Sequence, residues 1–473
     1  MYCRLFILLL TFSFYSCTEK APKAKYGTWF GGHIVNPVGN SVIFRKGNDI
    51  LAEMELNEEN RFLLNIPDFT PGLYEFLHKE RQLVYLTAGD SVTLRVNTFE
   101  FDESITFTGI GAAKNNFMID LFLMNEKENA QMANNAIYYK TPEKFEHYLD
   151  SLQLIRNKRW EDFQDKHNAG EGFSKIAHAI INYDIYARKE VYPLTNFVSS
   201  KMNLLHSMPK GFYDYRKYVS FNQEEFLSLY SYQRFLFNYF NQASFKKYGH
   251  DFPFDPQSLI HNTIEIKLID SLVTNKAIKN FLMTRNIRNY LSNSNNKAGN
   301  KEMYDQYMNF VQSESDKKNI KELYLSNQNL ESEKQIPDET LFNTDFEKIS
   351  LRSLIKKPTI IYFWSSESRN HMIRAHAKAE KLRVRYPQYD ILDLNLDIDP
   401  EMWVEILINQ NFDESHSYRF VDAIDKSRRE FSINNIVKTL VLDKDGIILN
   451  AHANMFSSRF ESEILGYLNK NDK

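Results

Sequence analysis

Cysteine is almost absent from this 473-residue sequence, which contains only Cys3 and Cys17. Residues 18–473 therefore carry no thiol that could form a disulfide, ligate a metal as a thiolate or attack as a nucleophile. Disulfide stabilisation of a chain that begins at or after Cys17 is excluded even in an oxidising compartment, so its stability must come from packing.

Glycine, proline and excess charge are also scarce. The chain has 16 Gly, 13 Pro and a net charge of -3, and no Lys/Arg stripe with interleaved aromatics appears. We therefore expect no nucleic-acid partner, because such a partner requires neutralisation of many phosphates. By contrast, 36 Phe, 27 Tyr and a hydrophobic content of 43% predict an ordinary globular chain of two to four domains, with large side chains in its cores.

The first sixteen residues have the pattern of a signal peptide. Arg4 lies in a short basic segment, and the apolar run that follows, residues 5–15, is too short to cross a bilayer, which takes about 20 residues. Ser16-Cys17 at its end resembles the lipobox of bacterial lipoproteins, which implies lipidation of Cys17, a polar tether at 17–25 and membrane attachment by a lipid anchor. The alternative is an ordinary secretory signal cleaved nearby, without lipidation. The expected location is the cell envelope, at the outer membrane facing the periplasm.

Residues 26–111 alternate apolar and polar positions between turn signals such as Pro71-Gly72. This pattern predicts six to eight antiparallel strands in a small β-sandwich. Residues 112–324 instead show helical periodicity. For example, Thr141 is a predicted N-cap, Pro142 is at the first helical position, and Phe145, Tyr148, Leu149 and Leu152 share one face.

The polar residues 325–335 lack periodicity and are predicted to be a linker to a C-terminal domain at 336–473. In that domain strands are predicted at 359–364, 390–397, 438–442 and 447–450, and helices at 368–386, from Asp399-Pro400 and at 457–469. The fold class is thus multidomain: an N-terminal antiparallel β-sandwich, a central all-α region and a C-terminal α/β domain.

Three stretches of the C-terminal domain resemble envelope-anchored thioredoxin-like thiol-disulfide oxidoreductases: IIYFWSSESRNH at 360–371, TLVLDKDGIIL at 439–449 and IPDETLF at 336–342. EFDESITFTGIGAAKNNF at 100–117 resembles the N-terminal β-sandwich and helical extension of some of these proteins. The resemblance implies a thioredoxin-like fold. It also implies a Cys-x-x-Cys pair at the start of the helix after the first strand, and a cis-proline opposite that pair.

This chain departs from both signatures. The two cysteine positions hold Ser368 and His371, and the cis-proline position holds Val437, whose peptide geometry the sequence leaves open. A serine hydroxyl cannot replace the attacking thiolate, and no second sulfur is present to resolve a mixed disulfide. The candidate groove around these positions includes Trp364, Glu367 and Lys438.

Two other kinds of chemistry can be considered in this domain, nucleophilic catalysis and metal binding. Ser368 and His371 could be a nucleophile and base, but we interpret Ser368 as a helix N-cap and Glu367 as a charge that suits the helix start. Neither His371 with His376 nor Asp413 with His416 has metal-motif spacing. The Asp443–Gly446 segment is interpreted as a hairpin turn rather than a calcium loop, and no metal or cofactor is expected.

The sequence therefore favours a redox-inactive binding or scaffold module, with a peptide or protein partner in the envelope, over an enzyme. Two alternatives remain open. The chain could be an accessory subunit of an envelope thiol-disulfide oxidoreductase system, or an enzyme of unrelated chemistry that uses a pocket near Ser368 and His371.

Overall fold

The computed structural model describes residues 27–47, 49–66, 68–200, 203–205, 207–249, 252–397, 399–422 and 424–471. The predicted signal peptide, the predicted lipidation site Cys17 and the tether at 17–25 lie outside these ranges. The described residues divide into two compact units, which are those within 27–185 together with Ser228–Tyr232, and those within 186–227 and 233–471.

Strands in the described part of residues 27–110 form two four-stranded sheets, in the orders β4-β1-β7-β8 and β3-β2-β5-β6. A short helix, α1, separates β7 from β8. The strands and this helix are β1 (Trp29–Val35), β2 (Ser41–Lys46), β3 (Asp49–Glu55), β4 (Arg61–Asn65), β5 (Gly72–His78), β6 (Glu80–Leu86), β7 (Ser91–Asn97), α1 (Phe101–Ser104) and β8 (Thr106–Ile110).

The inner faces of the two sheets share one aromatic core. Phe30 of β1 stacks on Phe44 of β2 with ring centroids 4.9 Å apart, and Phe62 of β4 stacks on Phe76 of β5 at 5.5 Å. This is the predicted sandwich, with one correction: β1 pairs parallel to β7, so the sheets are not purely antiparallel. The alternation of apolar residues marks the buried face of a strand but is the same for either strand direction.

Helices follow the sandwich, as predicted, and none of those described is both long and apolar enough to cross a membrane. Helix α3 begins at Pro142 and buries Phe145, Leu149 and Leu152. Thr141 holds the N-cap position, but its side chain makes no capping hydrogen bond. The helices are α2 (Ala112–Asn134), α3 (Pro142–Lys166), α4 (Gly170–Ser200), α5 (Tyr230–Tyr248), α6 (Leu259–Leu272), α7 (Lys276–Asn293), α8 (Lys297–Phe310) and α9 (Glu314–Asn329).

The helical region does not form a unit of its own. The unit boundary falls inside α4, between Ile185 and Tyr186. Helix α2 belongs with the sandwich because it buries Ala112 and Ile119 in the sandwich core. Helices α6 to α9 fall in the other unit, together with the C-terminal sheet. The predicted boundaries at 111/112 and 324/325 therefore differ from the division made by packing.

The segment predicted as a linker, 325–335, is ordered and packed. Helix α9 continues to Asn329, and Leu330 is buried in the core of the C-terminal sheet. The Glu333 amide donates to Ile448 O at 2.9 Å, and Gln335 forms a β-bridge with Ile447. A segment that is held by its backbone and carries polar side chains has no periodic signal, which is why the sequence suggested a linker.

The C-terminal sheet has seven strands among the described residues, in the order β10-β9-β13-β12-β11-β14-β15. Strand β11 is parallel to β12 and antiparallel to β14. The elements are β9 (Thr340–Phe342), β10 (Lys348–Ser350), α10 (Leu351–Leu354), β11 (Thr359–Trp364), α11 (Arg369–Arg385), β12 (Asp390–Asn395), α12 (Pro400–Gln410), β13 (Ser417–Phe420), α13 (Ile424–Glu430), β14 (Thr439–Leu442), β15 (Ile448–Ala453) and α14 (Phe460–Asn471).

This series contains the predicted β-α-β-α-β-β-α order, with β9, β10, β13, α10 and α13 as additions. The Asp399 side chain caps α12 by accepting from Glu401 N at 2.9 Å. The β14–β15 turn is held by Asp443, whose Oδ1 accepts from the Asp445 and Ile447 amides at 2.9 and 2.8 Å. Gly446 has a φ of +78° in that turn, a conformation that favours glycine.

Candidate functional site

The connection from β11 to α11 is fixed by Asp397, which lies two residues beyond the end of β12. One carboxylate oxygen accepts from Ser365 Oγ at 2.5 Å, and both accept from the Ser366 amide at 3.0 Å. Asn395 Nδ2 donates to the second oxygen at 2.9 Å. Asp397 is buried, so this carboxylate meets its hydrogen-bonding requirement within the fold and sets the start of α11.

Ser368 is the N-cap residue of α11, but its hydroxyl does not cap the helix. Its backbone has φ -106° and ψ 57°, outside the extended conformation typical of a capping residue. The side-chain cap comes instead from Ser365, whose Oγ accepts from the Glu367 amide at 3.3 Å in a short 3-10 turn at Ser366–Ser368. Our prediction that the Ser368 side chain caps the helix is therefore wrong. Glu367 is exposed.

His371 is half-buried in the first turn of α11. Its Nε2 lies 3.0 Å from Phe363 O, and because a carbonyl only accepts, Nε2 must donate there. Burial lowers the pKa of His371, and Arg374 adds to this effect. Among the described residues neither Ser368 nor Glu367 forms a hydrogen bond with this imidazole, so the site lacks the hydrogen bond that joins a nucleophile to its base.

Trp364 is fully buried and cannot line an exposed groove. Its Nε1 donates to Asp393 Oδ1 at 2.5 Å, and the same oxygen accepts from Ser417 Oγ at 2.6 Å. Trp403 Nε1 donates to Ser417 Oγ at 3.1 Å, which completes a buried network across β11, β12, β13 and α12. Burial raises the pKa of Asp393 to about 7.

Val437 follows a trans peptide bond, since the described residues contain no cis bond. The next residue, Lys438, is buried, and its Nζ donates to Ser432 O at 3.3 Å. Burial lowers the pKa of Lys438 to about 7. Two of the three residues assigned to the candidate groove, Trp364 and Lys438, therefore lie in the interior, and only Glu367 is exposed.

A chain of contacts connects the start of α11 to position 437. The His371 ring packs on Phe456, with centroids 5.7 Å apart. The neighbouring Met455 amide donates to Thr439 Oγ1 at 3.3 Å, and Thr439 Oγ1 donates to Val437 O at 3.3 Å. The positions that the resemblance assigns to the cysteine pair and the cis-proline are thus in one neighbourhood of the fold, although neither carries the family's residue.

The two other histidines considered as metal ligands, His376 and His416, are explained by packing and by a local bond. His376 Nδ1 lies 2.9 Å from Tyr362 Oη, and its ring stacks on Phe412 at 3.8 Å. His416 Nδ1 is 2.6 Å from Asp413 Oδ2, in a partly buried turn. In the part of the chain that the structure describes, no group of three His, Cys, Asp or Glu side chains is arranged to hold a metal ion.

Comparisons with known proteins give only a distant structural likeness. No protein-family model and no curated protein matches the chain. Three solved structures illustrate its structural likeness. The C-terminal domain of a protein assigned as a thiol-disulfide oxidoreductase from Bacteroides thetaiotaomicron is 21% identical, with 30% of this chain and 98% of that chain covered and a TM-score of 0.25.

The thioredoxin domain of a thiol-disulfide oxidoreductase from Bacteroides vulgatus is 14% identical, covering 30% of this chain and 97% of that one with a TM-score of 0.25. A thiol:disulfide interchange protein from Bacteroides sp. is 14% identical, covering 30% and 90% with a TM-score of 0.24. These neighbours have thioredoxin-like domains. At such identities and TM-scores the likeness supports no conclusion about activity.

Sequence reasoning missed both buried aspartates near this site. Asp393 lies in the strand DILDLN, where every residue after the first is buried. An aspartate in the middle of such a strand could have been predicted to be a special site, because a buried charge needs partners or a proton. Asp397 carried no comparable signal, since its role depends on how the end of β12 approaches Ser365.

Proposed function

We propose that this chain is a redox-inert, thioredoxin-like cell-envelope lipoprotein whose C-terminal domain serves as a binding or scaffold module. The proposal rests on Ser368 and His371 at the start of α11. A hydroxyl and a half-buried imidazole stand there, at the two positions that the resemblance assigns to the cysteine pair.

The mechanism of thiol-disulfide exchange explains why the absence of cysteine at these two positions matters. Exchange requires a thiolate that attacks a disulfide and a second thiol that resolves the mixed disulfide. Residues 18–473 contain no cysteine, so no other position in that part of the chain can supply either sulfur. Hydrolysis by Ser368 and His371 is also disfavoured, because the imidazole is bonded to Phe363 O rather than to the serine.

We expect the purified chain to reduce a model protein disulfide no faster than buffer when dithiothreitol is the electron donor. The matched comparison is the double variant Ser368→Cys/His371→Cys, which places two thiols at the helix start and should gain a rate above buffer. Turnover by the unmodified chain would refute redox inactivity. If the double variant reduces the disulfide no faster than buffer, the assignment of positions 368 and 371 to the cysteine pair is contradicted.

Lipid anchoring can be tested at Cys17. Cells that express the chain should incorporate labelled fatty acid into it and retain it in the membrane fraction, whereas Cys17→Ser should lose the label and leave that fraction. Cys3→Ser is the control, because Cys3 lies within the predicted signal and its loss should leave labelling unchanged. An unlabelled wild-type chain would favour the ordinary secretory signal.

A further inference from the structure

A cavity of about 320 Å³ lies within the unit that contains the β-sandwich. Residues of β6, α1, α2, α3 and α4, together with residues 229–231, line it, and all of them belong to that unit. The volume falls within the range of small-molecule pockets, about 300–1,000 Å³. The inference about this cavity does not depend on the function proposed for the C-terminal domain.

Most of the cavity wall is apolar. Met118, Leu121, Ile181 and Leu229 are buried side chains of this wall. Phe122 also lines the cavity and is 41% exposed, so an aromatic ring is left partly in contact with water. A ligand with an apolar body would cover this surface, which is the usual source of affinity in such pockets.

Ser231 supplies an unsatisfied polar group at the wall. Its side chain lines the cavity, the residue is 8% exposed, and its Oγ has no hydrogen-bond partner among the described residues. Buried hydroxyls are normally hydrogen-bonded, because leaving one unpaired costs free energy. A polar group of a ligand in the cavity would satisfy it.

Two carboxylates give the cavity its charge. Glu80 and Asp102 both line it, and neither forms an ion pair with any described residue. Burial raises the pKa of Asp102 to about 6, and Glu80, Glu126 and Glu103 add to the increase by repulsion. Glu80 and Asp102 therefore have no counter-ion among the described residues.

The two arginines of the wall do not supply that counter-ion. Arg81 forms an ion pair with Glu75 at 3.0 Å. Arg156 is bonded to Glu128 and to Asp184, the latter at 2.9 Å. The guanidinium charges are thus committed to other carboxylates, and the charge left facing the cavity is negative.

We propose that this cavity binds a small organic amine, with its ammonium group against Asp102 and Glu80, its apolar body against the wall that includes Leu121 and Phe122, and a polar group at Ser231. An anion would meet repulsion from the two carboxylates. A neutral molecule of the same shape would leave them without a counter-ion.

Three probes that share an indole body separate charge from shape: tryptamine as the cation, tryptophol as the neutral alcohol and indole-3-propionate as the anion. With the purified full-length chain in isothermal titration calorimetry, tryptamine should bind about tenfold more tightly than tryptophol, and indole-3-propionate should not bind measurably. Tryptamine should also raise the melting temperature of the sandwich-containing unit.

The variants Asp102→Asn and Glu80→Gln should each weaken tryptamine binding by about tenfold and leave tryptophol binding unchanged. Ser231→Ala should weaken binding by several-fold. Because none of the three side chains makes an ion pair or a side-chain hydrogen bond among the described residues, these variants should fold normally. The control is Asp120→Asn, an exposed α2 carboxylate that pairs with Arg159 and does not line the cavity.

Three results would overturn the proposal. The first is equal affinity for the three probes, and the second is tryptamine binding that Asp102→Asn and Glu80→Gln leave unchanged. The third is no saturable binding, at about 1 mM, of any amine in a series from n-butylamine through benzylamine to tryptamine.

Discussion

Replacing Arg156 by methionine should lower the free energy of unfolding of the sandwich-containing unit by about 3–5 kcal/mol. Arg156 of α3 bonds to Glu128 of α2 and to Asp184 of α4, and its side chain is 3% exposed. Burial alone would lower the pKa of Arg156, but the two carboxylates raise it above its ordinary value. Methionine keeps much of the length of the side chain but removes the guanidinium that Glu128 and Asp184 share.

The matched control is Arg159→Met in the same helix. Arg159 pairs with Asp120 at 2.8 Å, but both side chains are about half exposed, so the expected loss is about 0–1 kcal/mol. Denaturant unfolding, followed by amide hydrogen exchange in α2, α3 and α4, would measure the two losses. Equal losses for the two variants would contradict the assignment of a buried charge cluster.

A third variant separates charge from packing. Replacing all three members, as Arg156→Met/Glu128→Leu/Asp184→Leu, should recover most of the stability lost in Arg156→Met, because the two buried carboxylates that paired with Arg156 are then removed with it. If the triple variant is as unstable as the single one, the loss comes from packing around Arg156 rather than from the two carboxylates.

The stability of the C-terminal unit should depend on pH through Asp393, and Asp393→Asn should remove that dependence. Burial raises the folded-state pKa of Asp393 to about 7, against hydrogen bonds from Ser417 and Trp364 and the nearby Arg383, all of which lower it, while Asp413 raises it. An unfolded aspartate titrates near about 3.9. Between these values the folded state holds a proton that the unfolded state has released.

The contribution of Asp393 to the free energy of unfolding is therefore fully present below about pH 4, and it is lost as the pH rises through about 7. The difference in unfolding free energy between wild type and Asp393→Asn should fall by about 1.4 kcal/mol per pH unit inside this window and be constant above it. Other groups with shifted pKa values, such as Glu265 and Lys438, are present in both proteins and cancel in the difference.

Tryptophan fluorescence is a suitable probe, because Trp364 and Trp403 both belong to the Asp393 network. The control is Asp390→Asn at the start of the same strand, where the carboxylate is only partly buried and pairs with Lys357 at 3.1 Å. Asp390→Asn removes a carboxylate from the same strand and leaves the hydrogen bonds of Asp393 to Trp364 and Ser417 in place. A flat difference for Asp393→Asn would show that Asp393 is ionised in the folded state.

The sequence predicted those elements whose signal is local. Strand β11 was predicted at its observed bounds, because six consecutive apolar or β-branched residues are typical of a strand buried on both faces. The start of α12 followed from Asp399 and Pro400. By contrast, β9, β10 and β13 have three or four residues each, too few for an alternation to be recognised.

Side-chain roles at the candidate site were harder to predict. Ser368 was correctly placed at the helix start, yet the capping bond comes from Ser365, because the 3-10 turn before α11 shifts which hydroxyl faces a free amide. Trp364 and Lys438 were assigned to a groove from their positions beside family signatures. Their burial depends on residues far away in the sequence, such as Asp393 and Ser417 for Trp364, which no local pattern reveals.

The sequence by itself determined that residues 18–473 cannot perform dithiol exchange, because that chemistry requires sulfur atoms and the composition contains none there except in methionine. Only the tertiary structure decided which charges are paired, which are buried and which face a cavity. Those properties depend on distances between side chains from different helices and strands, as with Arg156 and Asp184 or Trp364 and Asp393. Packing alone sets such distances.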